Sequence, residues 1–511
     1  MQKKTLFSTG IFIILMIVFG KFIAFGKDIA ISLFFGASSD TDAFFIALNI
    51  TSILFIAFYS TVSLVFLPLY NEEKIKYGTQ ATNLFSSNII NLYVVISVLI
   101  MVFGIFFAPE IAGMINSSEN AENIDLTVTL LRVMTLSFSF SIFISFMTSI
   151  QLSNAQYLAP HLVPIINNFI VLIAIISFGP IYGIYVPAIA GVVAWVIQSP
   201  LHKWIVRQNF NYTFHLNLKD KNINKMGLLF FPAFLGIFID QTNIMVDTIL
   251  ASGLEEGSIS ALNYANRLIS FASGIFIMTI ISIMYPMFSK YIVNGEQAKL
   301  NASIKTSIRL LLLVMLPITA VISIYNIEIV TIVFQRGEFG FLSTERTASV
   351  FFFYGLGILF LSFRELFNKV FYAKQDTKTP LIISFIAVSI NIVLSIILVK
   401  SMGVEGLALA STLSLIIYVL IQVIILHKKV GGDFYKEILS FIAQLFIAIS
   451  IALFIMWEYK QYNYFDSLYM DFFSGVILGI LSFVITLLVF KNEEISSLAK
   501  LVYNKMKANK L

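Results

Sequence analysis

Two lysines and an aspartate interrupt the apolar stretch FGKFIAFGKDIAISLFF at residues 19–35. Lys21 and Asp28 are seven residues apart and therefore share one face of a helix, and Lys27 directly precedes Asp28. A charged side chain in the middle of a membrane helix costs about 2.5–3.5 kcal/mol on insertion scales, so it normally faces a bundle interior or a watery cavity. Two ammonium groups in such a place are suited to holding an anion.

Further polar residues recur at helical spacing in later apolar stretches. Two of them are seven residues apart, and three others follow one stripe at i, i+3 and i+7. In chain order the set is Asp42 and Asn49, then Asp240, Asn243 and Asp247, then Arg267. Interhelical ion pairs that only fix the bundle are one interpretation. Because the set recurs at equivalent places in both halves of the chain, we favour a polar central cavity.

The composition indicates what surrounds these charges. Hydrophobic residues make up 58% of the 511 residues and charged residues 12%, against about 45–50% and 25% in soluble domains. The chain is therefore predicted to be an integral membrane protein. It contains no cysteine, which excludes disulfides and thiol catalysis, and its four histidines form no metal-spaced pair. No nucleic-acid partner is needed to explain the basic charge.

Turn and charge clusters divide the chain into fourteen apolar stretches, each near the length of about 20 residues that a transmembrane helix needs. The predicted spans are 5–35, 42–69, 84–112, 124–153, 156–178, 182–206, 225–251, 258–289, 303–325, 344–373, 379–400, 404–427, 435–457 and 466–490. Lysine and arginine concentrate in cytoplasmic loops. With the N-terminus inside, 22 basic residues fall on the inner side and 4 on the outer side. Both termini are therefore predicted to be cytoplasmic.

The two halves of the chain share a weak internal repeat. Asn168 precedes Gly183 by fifteen residues, and Asn391 precedes Gly406 by fifteen, at an offset of 223. Transporters are commonly built from such duplications. The predicted fold class is an all-α polytopic membrane protein with about 14 transmembrane helices, in two pseudo-symmetric six-helix lobes plus two C-terminal helices. The predicted divisions are an N-lobe at 1–206, a cytoplasmic linker at 207–224, a C-lobe at 225–428, and the two final helices with a basic tail at 429–511.

Four segments carry a family resemblance: GASSDTDAFFIALNI at 36–50, NYANRLISFASGIF at 263–276, FQRGEF at 334–339 and FYAKQDTKTP at 371–380. They resemble the MurJ (MviN-type) lipid II flippases of the multidrug/oligosaccharidyl-lipid/polysaccharide exporter superfamily. The resemblance implies a V-shaped pair of lobes around a cationic cavity that opens alternately inward and outward. It also implies that the last two helices form a groove for a long lipid tail.

Carried over by position, the resemblance implies that Lys21, Lys27 and Arg267 bind the diphosphate of the substrate. Asp28 and Asp42 match acidic residues of the family. Since carboxylates repel a diphosphate, we expect both to form ion pairs with nearby lysines that break and reform as the lobes move.

This chain departs from the family at three cationic positions. Lys21 and Lys27 stand where the family has arginines, which replaces forked phosphate ligands by point charges. Phe55 stands where an arginine is expected in the second span. The chain therefore keeps a cationic cavity but weakens it, which leaves the identity of the lipid-linked glycan open.

Asp247, Asn391, Ser395 and Ser411 resemble the sodium site known in some MurJ flippases. A carboxylate with amide and hydroxyl oxygens suits a hard cation, and Asn391 and Ser395 are four residues apart on one helical face. Ser395 stands where a second carboxylate is expected, so one formal charge would offset the ion. Ordinary interhelical hydrogen bonding is the alternative. Sodium or the membrane potential is the expected energy source, and no other cofactor is expected.

The predicted function is translocation of an undecaprenyl-diphosphate-linked glycan, in first place the peptidoglycan precursor lipid II, to the outer leaflet of the bacterial inner membrane. The alternatives are another lipid-linked oligosaccharide, of O-antigen, capsule or teichoic type, and an ion-coupled exporter of drugs or metabolites in the same superfamily. A membrane enzyme is disfavoured, because no long loop carries paired carboxylates or a nucleotide-binding motif. The expected transport unit is a monomer in the bilayer, working with cell-wall synthesis proteins.

Overall fold

The computed structural model describes residues 2–115, 121–430, 434–462 and 464–492. Within these ranges the chain forms fifteen α-helices and no β-strand, so the predicted all-α class is confirmed. The helices are α1 (Gln2–Phe35), α2 (Ser39–Phe106), α3 (Ala108–Ile115), α4 (Ala121–Thr135), α5 (Phe138–Ser153), α6 (Ala159–Tyr182), α7 (Tyr185–Val206), α8 (Lys221–Ser252), α9 (Ser258–Val293), α10 (Gln297–Phe334), α11 (Phe341–Ala373), α12 (Lys378–Met402), α13 (Val404–Val430), α14 (Phe434–Tyr462) and α15 (Leu468–Val489).

Twelve helical stretches in the described part of the chain are long and apolar enough to cross a membrane. One of them, α2, has 68 residues and contains the predicted span 42–69 and most of the predicted span 84–112, whose end falls in α3. Its backbone breaks at Gly78, where φ is 76° and ψ is 178°. Counting α2 as two passes and adding the 34-residue α1 brings the twelve stretches to the fourteen passes that the sequence predicts.

The predicted span 124–153 is divided between α4 and α5. At the break, the backbone N–H groups of Leu136 and Ser137 donate to the carbonyls of Val133 and Met134, both at 3.1 Å, which makes a tight turn. The Ser137 hydroxyl also donates to the Met134 carbonyl at 2.7 Å. Such hydroxyl bonds to the preceding turn bend helices. No glycine or proline marks the break, so the apolar pattern runs through it.

The chain divides into two compact units. Unit 1 comprises residues 1–267, 334–346 and 388–407, and unit 2 comprises 268–333, 347–387 and 408–511. These limits differ from the predicted boundary between the lobes at 207–224, and the division into two six-helix lobes stays a prediction.

Unit 1 is built around α2. Helices α5 and α8 pack along α2, while α6 packs along both α1 and α7. The core between α2, α5 and α8 is aromatic, with Phe66 and Phe146 completely buried and their ring centroids 4.9 Å apart in an edge-to-face arrangement. This packing fixes the helices that carry most of the predicted site.

Unit 2 places the last two helices against α10. A Cβ added at Gly475 of α15 would lie 2.1 Å from the Tyr325 hydroxyl oxygen, and one at Gly479 would lie 2.4 Å from Met456 Cγ. Tyr325 lies at a non-helical position inside α10, with φ −114° and ψ 28°, and donates to the Met456 carbonyl at 3.2 Å. The Tyr325 side chain of α10 therefore contacts the backbone of both final helices, at Met456 of α14 and at Gly475 of α15.

The QDTKTP turn at 375–380 joins α11 to α12 in unit 2. Asp376 accepts hydrogen bonds from the Thr379 backbone N–H at 3.0 Å and hydroxyl at 2.7 Å, and it pairs with Lys429 at the end of α13. Partial burial acts to raise the pKa of Asp376, but the hydrogen bonds from Lys429 and Thr379 outweigh it and lower the pKa to about 2. The turn residues therefore cap α12 and tie it to α13.

Candidate functional site

Three of the residues predicted from the sequence meet in unit 1. Asp28 Oδ1 lies 3.4 Å from Lys27 Nζ, and Asp28 Oδ2 lies 3.8 Å from Arg267 Nε. The Asp28 side chain is 8% exposed, Lys27 is 16% exposed and Arg267 is 38% exposed. The predicted ion pairing of Asp28 is therefore present, and it links α1 to α9. The cluster carries one net positive charge, and the Arg267 side chain is the most exposed of the three.

Lys21 lies two turns before this cluster on α1 and is half-buried. It makes no ion pair or side-chain hydrogen bond with any residue that the structure describes. A separation of seven residues corresponds to about 10.5 Å along a helix. Lys21 therefore offers an uncompensated cation on the same helix as the Lys27–Asp28 pair.

Asp42 is held differently from the sequence expectation. Its carboxylate is buried, at 6% exposure, and accepts from the backbone N–H of Gly257 at 2.7 Å, the backbone N–H of Ser260 at 2.7 Å and the Ser260 hydroxyl at 2.6 Å. Since α9 begins at Ser258, the carboxylate caps the N-terminus of α9. The expected ion pair with a lysine was wrong for Asp42: the donors are orphan amides at a helix start, where the helix dipole also favours a negative charge.

Three glycines with positive φ lie around the connection between the C-terminus of α1 and the N-terminus of α2. We call Gly36, Gly257 and Gly337 the glycine junction; their φ angles are 64°, 83° and 56°. A Cβ at Gly36 would lie 2.5 Å from the Glu338 carbonyl oxygen, one at Gly257 would lie 2.6 Å from that of Ala37, and one at Gly337 would lie 2.2 Å from that of Leu33. Each position therefore requires glycine for conformation and for space.

Tyr264 fills the centre of this junction. It is completely buried and donates to the Gly36 carbonyl at 2.8 Å. Its ring contacts Phe45, Phe334 and Phe339, with centroids 5.4, 5.0 and 5.3 Å away. Three of the four family segments noted in the sequence thus converge here. The junction itself was not predicted from the sequence, although the glycines within FFGASSD, EEGS and QRGEF were a usable signal.

The polar stripe predicted at Asp240, Asn243 and Asp247 lies on α8, near a hydrogen bond from α2. Asn49 Nδ2 on α2 donates to the Thr248 hydroxyl on α8 at 3.0 Å. The Asn243 side-chain oxygen Oδ1 is buried and accepts no hydrogen bond from the described residues. The side chain of Asp240 lies outside the described part of the chain. Asn49 therefore has a structural partner, whereas Asn243 retains an unused acceptor.

Three of the four residues predicted for a sodium site also lie together in unit 1. The Ser395 hydroxyl oxygen is 3.2 Å from Asp247 Oδ1 and 3.5 Å from Asn391 Oδ1. Asn391 and Ser395 are completely buried. Ser411 belongs to unit 2. The group therefore offers carboxylate, amide and hydroxyl oxygens in one place, which is the donor set that a hard monovalent cation takes.

Phe55 marks an apolar surface inside unit 1. Its ring centroid is 5.1 Å from that of Phe138, and it lines a cavity of about 270 Å³ whose wall also includes Lys27 and Asp28. The position where the family has an arginine thus contributes aromatic surface next to the cation cluster.

Comparison with known proteins decides the family. A family model described as lipid II flippase MurJ matches residues 31–478, which is most of the chain. The chain belongs to the MurJ family. A curated MurJ relative, "Probable lipid II flippase MurJ" of Borreliella burgdorferi, is 27% identical over 93% of this chain and 95% of its own. Another of the same description, from Buchnera aphidicola subsp. Baizongia pistaciae, is 28% identical over 86% of this chain and 87% of its own.

Solved structures agree with membership of the MurJ family. A structure of "Lipid II flippase MurJ, inward closed conformation" matches with a TM-score of 0.81 and 25% identity, covering 95% of this chain and all of that one. An inward-facing MATE family multidrug transporter, described as a member of the MOP superfamily, matches with a TM-score of 0.67 at 13% identity, covering 83% of this chain and 99% of that one, which shows the shared fold alone. MurJ proteins are transporters of the inner membrane, so the membrane-enzyme alternative is rejected.

Proposed function

We propose that this protein flips lipid II, an undecaprenyl-diphosphate-linked glycan, from the cytoplasmic to the outer leaflet of the bacterial inner membrane. The observation that carries the proposal is the MurJ family match over residues 31–478 together with the Lys27–Asp28–Arg267 cluster. The diphosphate and the glycan cannot cross hydrocarbon unaided, because ions and hydroxyls would lose their hydration. A cationic protein surface replaces that hydration while the apolar tail stays in the bilayer.

Lys21, Lys27 and Arg267 bind the diphosphate. In the arrangement described, Asp28 is the counter-ion of Lys27 and Arg267, and Lys21 has no counter-ion among the described residues. An incoming diphosphate pairs first with Lys21 and then competes with Asp28 for the other two cations. Asp28 thus keeps the empty site neutral enough to be stable without contacting substrate.

Alternating access closes at the glycine junction. The three hydrogen bonds of Asp42 and the Tyr264 core hold α1, α2, the start of α9 and the 334–346 segment together. A hydrogen bond to a charged group contributes about 1.5–3 kcal/mol, so this contact supplies a barrier that opening must overcome. With the predicted cytoplasmic termini, the junction would lie at the outer face and would separate when the transporter opens outward.

Sodium binding to Asp247, Asn391 and Ser395 supplies energy for this cycle. Asp247 on α8 and Asn391 and Ser395 on α12 would hold the cation with carboxylate, amide and hydroxyl oxygens, and binding that differs between two conformations would bias the transporter towards one of them. The membrane potential is the second source and acts on any charge that crosses the field. The protein works as a monomer in this proposal. Helices α14 and α15 guide the lipid tail of the substrate.

Rescue of a bacterium depleted of its own lipid II flippase tests the function. We expect growth with this chain and lysis with a Lys21→Ala, Arg267→Ala double variant expressed at the same level. Failure to rescue, combined with restored surface glycan in a strain lacking its O-antigen or capsule flippase, would assign another lipid-linked glycan to the same site.

A further inference from the structure

A second cavity, open on one side, is formed by residues of unit 1 next to the cavity that reaches Lys27. Its volume is about 480 Å³, within the range of about 300–1,000 Å³ that ligand pockets take. It lies among α2, α5, α6 and α7, and its lining includes Tyr59, Ser141, Asn167 and Trp195. We call it the aromatic cavity. Asn167 and Trp195 line both cavities, so the aromatic cavity adjoins the one at the cation cluster.

The lining of the aromatic cavity suits a neutral ring. It contains no charged side chain, so it offers no counter-ion to a charged ligand. The rings of Tyr59 and Trp195 have centroids 6.3 Å apart and planes inclined at 57°, which gives two faces of a wedge. Aromatic faces bind the C–H face of a pyranose by burying apolar surface, while the hydroxyls stay available for hydrogen bonds.

Asn167 adds a polar contact that the protein itself does not use. Its amide nitrogen Nδ2 is buried and has no hydrogen-bond partner among the described residues. Leaving a buried amide donor unpaired costs about 1–3 kcal/mol. Rotation of the Asn167 amide towards the cavity would let an oxygen of a ligand accept from it and remove this cost. The neighbouring Asn168, in contrast, already donates to the Pro164 carbonyl at 2.7 Å.

We infer that the aromatic cavity binds the sugar ring attached to the diphosphate of the substrate, with Asn167 donating to an oxygen of that sugar. The inference rests on the proposed function. A neutral, aromatic space that adjoins the cavity lined by Lys27 fits a neutral ring joined to an anion, which is what a glycosyl diphosphate is. An apolar tail would need neither the unpaired amide nor the adjoining lysine. The glycan is then recognised as well as accommodated, and Phe55, which lines both cavities, separates sugar from diphosphate.

The test compares two ligands that share the tail and a diphosphate and differ in whether a sugar is attached to it. Binding of lipid II and of undecaprenyl diphosphate, which has no sugar, is measured by native mass spectrometry on the purified full chain. We expect Trp195→Leu and Asn167→Leu each to weaken lipid II binding about tenfold, equivalent to about 1.4 kcal/mol, and to leave undecaprenyl diphosphate binding unchanged. Retained undecaprenyl diphosphate binding also shows that the variants fold.

Two matched variants serve as controls. Trp204→Leu removes an exposed tryptophan of the same helix that does not line the cavity, and Trp195→Phe keeps an aromatic face; both should bind lipid II like the wild type. Equal weakening of both ligands in Trp195→Leu and Asn167→Leu, or no weakening of either, would overturn the sugar assignment. That result is distinct from failure of the function itself, which is read from rescue by the wild-type chain.

Discussion

Asp42 accepts both the backbone N–H and the hydroxyl of Ser260, at 2.7 and 2.6 Å, across 218 positions of sequence. This relationship joins the first turn of α2 to the first turn of α9. With the Gly257 amide, a single carboxylate thus accepts three hydrogen bonds from the start of α9 and the residue before it, a contact that the proposed alternating access would break.

Loss of the Asp42 carboxylate should destabilise the closed junction. We expect Asp42→Ala to lower the disulfide yield between cysteines introduced at Ser39 and Glu256, which lie in contact through a 2.6 Å hydrogen bond. The chain has no native cysteine, so the background is clean. Asp40→Ala, which removes an exposed carboxylate from the same helical turn, is the control and should leave the yield unchanged. Equal yields in the two variants would show that Asp42 does not hold the junction.

A side chain at Gly337 should prevent the junction from closing. In Gly337→Ala the Cβ would lie 2.2 Å from the Leu33 carbonyl oxygen, a distance that requires the backbone to move. We expect a strong loss of flippase rescue and of the disulfide between positions 39 and 256. Gly78→Ala carries the same kind of positive-φ strain, at φ 76°, but meets nothing within 4 Å, so it should retain both properties. Similar losses in both variants would point to strain alone.

Removal of the cavity cations should abolish transport without loss of the protein. Lys21→Ala, Lys27→Ala and Arg267→Ala are each expected to fail in the rescue assay at normal membrane expression. Lys21→Arg should function, since it keeps the charge and adds a fork for phosphate. Lys299→Ala serves as the control because that lysine is 64% exposed in the first turn of α10. Normal rescue by all three alanine variants would refute the cationic cavity.

Sodium should change the conformational balance through Asp247. We expect the disulfide yield between positions 39 and 256 to respond to sodium in the purified protein and not to choline. Asp247→Asn should remove the response, since it removes the formal charge that offsets the ion. Ser395→Ala should weaken it, because the hydroxyl lies 3.2 Å from the carboxylate. A wild-type response to membrane potential that is indifferent to sodium would leave Asp247 as a hydrogen-bonding residue.

The Asp376–Lys429 pair should stabilise unit 2 in a pH-dependent way. The pKa of Asp376 is about 2 in the folded chain and about 3.9 in an unfolded one. Its contribution is therefore complete above the unfolded pKa and is lost as the pH falls from about 4 towards 2. Asp376→Asn should lower the unfolding temperature by a few degrees at pH 7, and the difference from wild type should shrink in that acidic window. A difference that stays constant with pH would mean that the carboxylate charge is not involved.

The sequence predicted the membrane passes and the cation cluster because both depend on local rules. Apolar length predicts spans, and a charge inside a span must find a partner, as Lys27 and Asp28 do. The partner of Asp42 could not be predicted in this way, since its donors are backbone amides that any sequence supplies at a helix start. The break between α4 and α5 was equally hidden, because hydroxyl groups bend the chain there without glycine or proline.

The aromatic cavity could not be predicted from the sequence for a further reason. Tyr59, Asn167 and Trp195 come from three different helices, and each is unremarkable within its own apolar run. Only the packing of α2, α5, α6 and α7 brings them around one space.

The close approach of α15 to α10 and α14 affects how the protein responds to bilayers of different thickness. The side chains of Tyr325 and Met456 pack against α15 at Gly475 and Gly479. If α15 shifted along its axis, a larger side chain would replace a glycine at these contacts and would collide with Tyr325 or Met456. The helix therefore cannot slide along its partners to follow a thinner or thicker membrane. A change in hydrocarbon thickness must be absorbed by tilting the whole group of helices or by deforming the surrounding lipid, so the rate of transport should depend on acyl-chain length even when the chemistry of the headgroup is unchanged.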